Sequence, residues 1–290
     1  MSVQRIAEKI EYFEPWREFK TPLVRQLAFT VASPNILYAT PTELNIKHHF
    51  NWHNHEKWQQ HFQHYVPRLK QLDRAPLALE NFLNTLKSTR LGLRFETLMW
   101  FWLTESDYHA YELIGHSLQQ REGRNTLGEL DFLLKNTETK RIEHWEVALK
   151  YYLAEADYQL PHWFGLNRTD TLSKKLQHFT NKQFQFKQVN DHVIEDHFAV
   201  MKGQLYLPQQ LVHPVPTWIN PQRRTGIWGH CILPDYYRLQ RHEWICPHVC
   251  PSSSPAQWWT NGLYHHTKLL QDYMFRIDNN LQNSTKFNQL

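Results

Sequence analysis

The chain has 290 residues, enough to bury a substantial core without disulfides or a metal. Hydrophobic residues at 41%, charged residues at 21% and only 9 Gly exclude a disordered, collagen-like or linker-like protein, and a formal charge of +4 is too small to argue for nucleic acid by itself. No apolar run approaches the roughly 20 residues of a membrane span. The start, Met1 to Lys9, carries no apolar signal segment, and three Cys suit a reducing compartment, so a cytoplasmic protein with no membrane partner is expected.

In chain order, Pro22 opens a helical pattern that runs to Ala32, where Ser33-Pro34 ends it. Further helical stretches run from about Trp52 to Leu72 and from Pro76 to Leu86, which makes residues 1–89 an N-terminal helical region. From Leu91 to Leu103 the chain is apolar almost all round, as a buried helix is, yet Glu96 sits inside it. A lone acid in such a place is expensive. Strands are expected at Tyr111–Leu118, Gly128–Leu134 and Ile142–Tyr151. Asp170 or Thr169 then caps a helix with Leu172, Leu176 and Phe179 on one face and Lys174 and His178 turned away, and a further strand runs from Phe198 to Leu207. Residues 90–210 thus read as a compact α/β core. Residues 211–290 are rich in Trp, Pro and Cys and are expected to form a mixed region packed on it, with Trp218, Trp228, Trp244, Trp258 and Trp259 filling its interior rather than stacking on bases.

The second and third strands carry the sharpest signal. Leu130, Phe132 and Leu134 alternate with Glu129 and Asp131; Trp145, Val147 and Leu149 alternate with Glu146 and Lys150. Pairing the apolar faces through a hairpin centred between Glu138 and Thr139 sets Phe132 opposite Trp145 and Leu130 opposite Val147. The same register sets Asp131 opposite Glu146, with Cβ atoms about 5 Å apart. Two carboxylates so close repel and raise each other's pKa unless a cation neutralises them. Mg²⁺ or Mn²⁺ meets that need, because Mg²⁺ is held by one or two carboxylates with waters and phosphates completing its shell. Glu96 becomes a third acid if its helix packs across the sheet. The competing account pairs Glu96 with Arg90 or Arg94 and leaves the strand acids facing solvent. Between Arg168 and Lys187, five basic residues stand against one acid, so this segment is locally basic.

A helix with Glu, Gly-x-x-Asp on a strand, Glu on the next strand with a nearby Lys, and a basic helix together resemble the core of the PD-(D/E)XK nuclease superfamily, of the RecB-like kind. Most of the chain also resembles a bacterial domain-of-unknown-function family, number eighteen fifty-three, grouped with those nucleases. The likeness rests on Pro22-Leu23-Val24-Arg25-Gln26-Leu27-Ala28, Arg94-Phe95-Glu96, Gly128-Glu129-Leu130-Asp131, the run from His144 to Leu153, and the helix from Asp170 to His178. It implies an α/β fold with a restriction-endonuclease-like core, a central mixed sheet flanked by helices, bearing the N-terminal helical and C-terminal Trp-rich additions. It also implies a metal-dependent nuclease acting on DNA or RNA. On that basis Glu96, Asp131, Glu146 and the carbonyl of Val147 hold Mg²⁺ or Mn²⁺, Lys150 is catalytic, and Arg168, Lys174, Lys175 and Lys182 contact nucleic acid.

One departure bears on catalysis. The superfamily usually places Lys two residues after the strand Glu, and that position is Ala148. Lys150 lies on the same face two residues further on, and Lys174 or Lys175 could also substitute; the bland alternative is a salt bridge from Lys150 to Glu129. The alternative functions are a catalytically inactive nuclease-fold protein that binds nucleic acid or acts as a scaffold, and a structural protein whose acid cluster is incidental. Cys246-Pro247-His248-Val249-Cys250, with Cys231, His230 and His242 nearby, offers ligands enough for zinc but not the paired Cys-x-x-Cys spacing, and no zinc is expected. No Gly-rich phosphate loop, Gly-x-Ser-x-Gly elbow or His-Glu-x-x-His pair is present.

Overall fold

The computed structural model describes residues 12–123, 125–257 and 259–278; Met1 to Lys9 and Trp258 lie outside them. The helices α1 (Pro22–Ala32), α2 (His55–Arg74), α3 (Leu77–Asn84) and α4 (Leu91–Thr104) form within two residues of most expected limits, with a short strand β1 (Asn51–Trp52) between the first two. Pro22 starts α1 because its missing N–H is not needed in a first turn, and Asn54 caps α2 by accepting from the Lys57 amide at 2.9 Å. Every residue of α1 from Val24 to Ala32 is buried, so its three polar members must be satisfied internally, and Thr30 donates to the Gln26 carbonyl at 2.8 Å. Arg25 donates to the carbonyls of Arg17, Phe19 and Pro247, and Gln26 to that of His242.

The core strands are longer than the pattern suggests: β2 (Tyr111–Glu122), β3 (Asn125–Asn136) and β4 (Ile142–Ala154). A short β5 (Trp163–Phe164), helix α5 (Leu172–Asn181) and a hairpin of β6 (Gln188–Val189) with β7 (His192–Val193) lead to β8 (Asp196–Pro208). The last part of the chain adds β9 (Gly226–Gly229), β10 (Tyr237–Arg238), β11 (Gly262–His266) and β12 (Gln271–Phe275). All but β6 and β7 join one ten-stranded mixed sheet in the order β10-β11-β12-β9-β8-β4-β3-β2, with β1 on β8 and β5 on β4. β4, β8, β9 and β12 run mutually parallel, while the β2–β3–β4 and β10–β11–β12 connections are antiparallel.

Both faces of the central strands are covered, which is why β4 and β8 read as near-continuous apolar runs. Phe132, Trp145, Val147, Leu149 and Val200 face Phe95, Leu98, Met99 and Trp102 of α4, together with α1 and α2. Ala148, Tyr152, Ala199 and Met201 face Leu172, Leu176 and Phe179 of α5, the crossover helix between parallel β4 and β8.

Two expectations are corrected. Thr171, not Asp170 or Thr169, caps α5, accepting from the Lys174 amide at 3.2 Å, because the Asp170 carboxylate is already engaged by Lys150 and Tyr152. Leu130 leaves the Phe132 face and packs with Leu133, Val189 and Ile194. The C-terminal residues join the core by extending its sheet through β9 on β8. Trp218 and Trp259 are buried and Trp228 and Trp244 half-buried. Among the described residues no helix is long and apolar enough to cross a membrane.

Candidate active site

The β3–β4 ladder has the expected register, Phe132 opposite Trp145 through Lys135 opposite Ile142, and it stops there. Beyond Phe132 the strands fork, and side chains replace the backbone ladder. Asp131 Oδ2 accepts from the Val147 amide at 2.8 Å, and the Asp131 amide donates to Glu146 Oε1 at 3.4 Å. The predicted pair of Leu130 with Val147 is therefore absent, since the Val147 amide is taken by the carboxylate. Gly128 explains itself by contact: a Cβ there would lie 3.0 Å from the Phe186 ring on which β3 rests. β4 meanwhile stays paired to β8, with Glu146 opposite Ala199, and the Glu146 side chain is fully buried.

Burial penalises a charged carboxyl. It pushes Glu146 up to about 8, opposed by the positive charge of Lys175. Asp131 is held well above the carboxylate range by burial and then by the charges of Glu146 and Glu96, opposed by its bond from Val147 and by Lys175. Lys175 of α5 is drawn down by its own burial while Glu146 and Asp131 favour its charge. Its ammonium lies 4.1 Å from the centre of the Phe179 ring. The site is one fully buried acid, Glu146, and one half-buried acid, Asp131, facing the half-buried Lys175, with Glu96 near enough to act on both acids.

Glu146 has both carboxylate oxygens engaged, and Asp131 and Glu96 one each. Glu146 Oε1 accepts from His144 Nε2 at 2.7 Å, and Oε2 accepts from the Gln183 amide, whose own oxygen accepts from Lys175 at 3.3 Å. Asp131 spends Oδ2 on Val147. Glu96 Oε1 accepts from His116 Nε2 at 2.8 Å and Ser117 Oγ at 3.4 Å. Asp131 Oδ1, Glu96 Oε2 and, on displacing Gln183, Glu146 Oε2 are the oxygens a ligand would take; without one the Asp131 and Glu146 carboxyls hydrogen-bond each other. Among the described residues no three His, Cys, Asp or Glu side chains converge as an all-protein metal cage does. A pair of hard oxygens fits Mg²⁺, which keeps several waters and takes one or two carboxylates.

The remaining expected residues are distributed as follows. Lys150 shares the β4 face of Glu146 but donates to Asp170 Oδ2 at 2.9 Å, and Tyr152 binds the other oxygen at 3.1 Å. Its bland alternative does not form either, since Glu129 is exposed on the hairpin. Arg94 goes to Gln26 rather than to Glu96. Lys174 and Lys182 are exposed on and just after α5, Lys174 touching the Thr169 carbonyl at 3.0 Å. Arg168 is away from the acids, doubly bonded to Glu155 and 4.3 Å over the Phe164 ring. His144, Gln183 and His116 were not singled out from the sequence. Only His144 had a readable signal, two residues before Glu146 and so on the same strand face. Cys246 is buried, which pushes its thiol up to about 11, whereas Cys231 and Cys250 are exposed.

A profile of the family described as domain of unknown function, DUF1853, matches residues 25–273, most of the chain. The chain belongs to DUF1853. The match runs from α1 to β12, so the helices, the forked strands and the C-terminal strands of this DUF1853 chain all fall within the family's span. No curated protein and no solved structure matches it. The chemistry of this DUF1853 member must therefore be argued from the site itself.

Proposed function

We propose that this chain is a metal-dependent nuclease of PD-(D/E)XK type that hydrolyses phosphodiester bonds of nucleic acid, with Asp131 and Glu146 as ligands for Mg²⁺ or Mn²⁺. The fork carries this reading: two carboxyls, Glu146 fully buried and Asp131 half-buried, lie side by side at the point where a strand pair opens, and the half-buried Lys175 faces them. Such a pair destabilises the metal-free chain, and perturbed acids of this kind concentrate at functional sites. Asp131 Oδ1 and Glu146 Oε2 are the ligand oxygens, and Glu96 adds a third negative charge. When bound, the dication would supply charge neutralisation at the phosphate and lower the pKa of a water. His144 holds Glu146 in one orientation, as partners of metal ligands do. Lys175, in the role first given to Lys150, offers its ammonium to charge developing on the phosphate. Lys174 and Lys182 lie exposed nearby in the chain, suited to flanking phosphates.

The test combines Mn²⁺ titration calorimetry with cleavage of labelled single-stranded and duplex DNA and RNA. Wild type should bind Mn²⁺ and cleave at least one substrate, and Asp131→Asn should lose both. Wild-type cleavage unaffected by Asp131→Asn would sink the mechanism. A second reading, an inactive nuclease-fold protein that binds nucleic acid, is favoured by Ala148 at the usual lysine position and by the capture of Lys150 by Asp170. It requires equal background cleavage by wild type and variant, with binding retained.

A further inference from the structure

A second concave site lies at the far end of β4. Ala154, which closes β4, is eight residues beyond Glu146, about 26 Å along an extended strand. A cavity of about 880 Å³ opens there, within the size range of ligand sites. Its wall is built from the residues that end β4, β8, β9 and β12: Glu155, Gln210, His230 and Arg276 stand at or just past those ends, with Trp228 and Arg168 beside them. These four strands are mutually parallel. Ligands of open α/β sheets bind outside the carboxyl ends of parallel strands, where the loops diverge.

The chemistry of the wall selects the ligand. The Trp228 indole is pinned by its Nε1, which donates to the Ala154 carbonyl at 2.7 Å, so the ring is a fixed platform rather than a mobile side chain. Arg276 is anchored through one nitrogen to the Gly165 carbonyl at 3.2 Å, and Arg168 is held by Glu155. The two guanidinium groups are close enough that the charge of Arg168, after burial, disfavours the charge on Arg276. Glu155 offsets part of that repulsion, and an anion between the two guanidinium groups offsets more. Glu155, already bonded to Arg168, and Asp278 are the acids of the wall. Gln209 and Gln210 add exposed amides of the type that bonds base edges. Two wall residues without glycine's freedom, Ala156 and Tyr158, have φ of 50° and 61°, a strained backbone of the kind retained at functional sites.

We propose that this cavity binds a nucleotide unit, with the base stacked on Trp228 and the phosphate on Arg276 and Arg168. Resting on the nuclease reading, the natural source is a nucleotide of the single strand whose backbone also passes the carboxylate fork; a free nucleotide has the same chemistry. The experiment runs in EDTA, so that no cleavage intervenes. Adenosine monophosphate is titrated by calorimetry into wild type, Arg276→Gln, Trp228→Leu and the exposed-site variant Gln210→Ala. In parallel, a fluorescent single-stranded oligonucleotide long enough to span both sites is bound and then competed with the monophosphate.

Wild type should bind the monophosphate, and Arg276→Gln and Trp228→Leu should each weaken it by about tenfold or more, as loss of a phosphate contact or a stacking ring does. Gln210→Ala should weaken it less. The monophosphate should displace the oligonucleotide. No binding heat with wild type at millimolar nucleotide, or affinities unchanged in Arg276→Gln and Gln210→Ala, would overturn the site. Binding without competition would overturn the strand as its source and assign the cavity to a free nucleotide. Mn²⁺ titration reports the carboxylate fork separately: a chain that fails to bind Mn²⁺ yet binds the monophosphate loses the nuclease reading and keeps this one.

Discussion

Replacing Glu146 by Gln should stabilise the metal-free protein at neutral pH while abolishing its proposed metal site. In the folded chain the Glu146 carboxyl is pushed from its ordinary value near 4.5 up to about 8. Below pH about 4.5 both the folded and the unfolded chain hold this proton, so the group contributes no penalty. Between the two values only the folded chain holds it, so stability falls as pH rises, and above about 8 the full cost of a buried charge is present. At about 1.4 kcal/mol per pH unit, a displacement of that size corresponds to about 5 kcal/mol. Because Glu146 and Asp131 titrate together, the share removed by one substitution is smaller, about 2–4 kcal/mol. Urea unfolding in EDTA, followed by Trp fluorescence from pH 5 to pH 8.5, measures the gap between Glu146→Gln and wild type. It should be small at pH 5 and open progressively in favour of the variant. Adding Mg²⁺ at pH 8 should stabilise wild type, by linkage of binding to folding, and leave the variant unchanged. A variant less stable than wild type at pH 8, or a gap that does not change with pH, would refute the electrostatic account of the fork.

Lys175→Met should lower cleavage about 10²-fold, the cost of losing a charge aimed at the reacting group, whereas Lys150→Met should cost less than about tenfold; the opposite ranking in single-turnover assays would return the catalytic role to Lys150. Lys174→Glu with Lys182→Glu should weaken nucleic-acid binding and flatten the logarithmic salt dependence by about 2 for duplex DNA, measured by anisotropy over a salt series. Leu98→Ala, at a fully buried position of α4, should destabilise the fold by about 2–5 kcal/mol in the same urea assay. Elemental analysis of the purified protein should show no stoichiometric zinc, since the thiol of Cys246 is buried while those of Cys231 and Cys250 are exposed.

The β3–β4 register was legible because alternation on two strands leaves one way to pair Phe132 and Leu134 with Trp145. The same alternation placed Asp131 and Glu146 on one face, and the all-round apolar pattern placed Glu96 in a buried helix. What alternation cannot reveal is where a ladder ends, because the backbone bond that Asp131 intercepts depends on a side chain competing with a carbonyl. The choice between Lys150 and Lys175 was equally hidden. It turns on Asp170, in the loop before the crossover helix, drawing Lys150 aside, and on α5 packing its Leu172, Leu176 and Phe179 stripe so that Lys175 overhangs the acids. His116 reaches Glu96 from β2, a contact between elements with no local sequence signature. The C-terminal strands were missed because they are only two to five residues long and carry no sustained period.

The fork has a mechanical side as well. β3 is tied to β4 by the pairs from Phe132 to Lys135 alone, whereas it is tied to β2 from Asn136 out to Asn125 near the hairpin tip. The hairpin thus projects about 20 Å beyond the last ladder pair, Phe132 with Trp145, out to Asn125, supported along the way by Leu130 on Val189 and Ile194 and by Gly128 on Phe186, with Asp131 only one residue from the pair. Because Asp131 is one residue from that pair and Asn125 seven, a displacement of the tip reaches the carboxylate reduced about sevenfold. The spacing of the two acids is therefore set by the ladder and by the Asp131 bond to Val147, not by the hairpin tip.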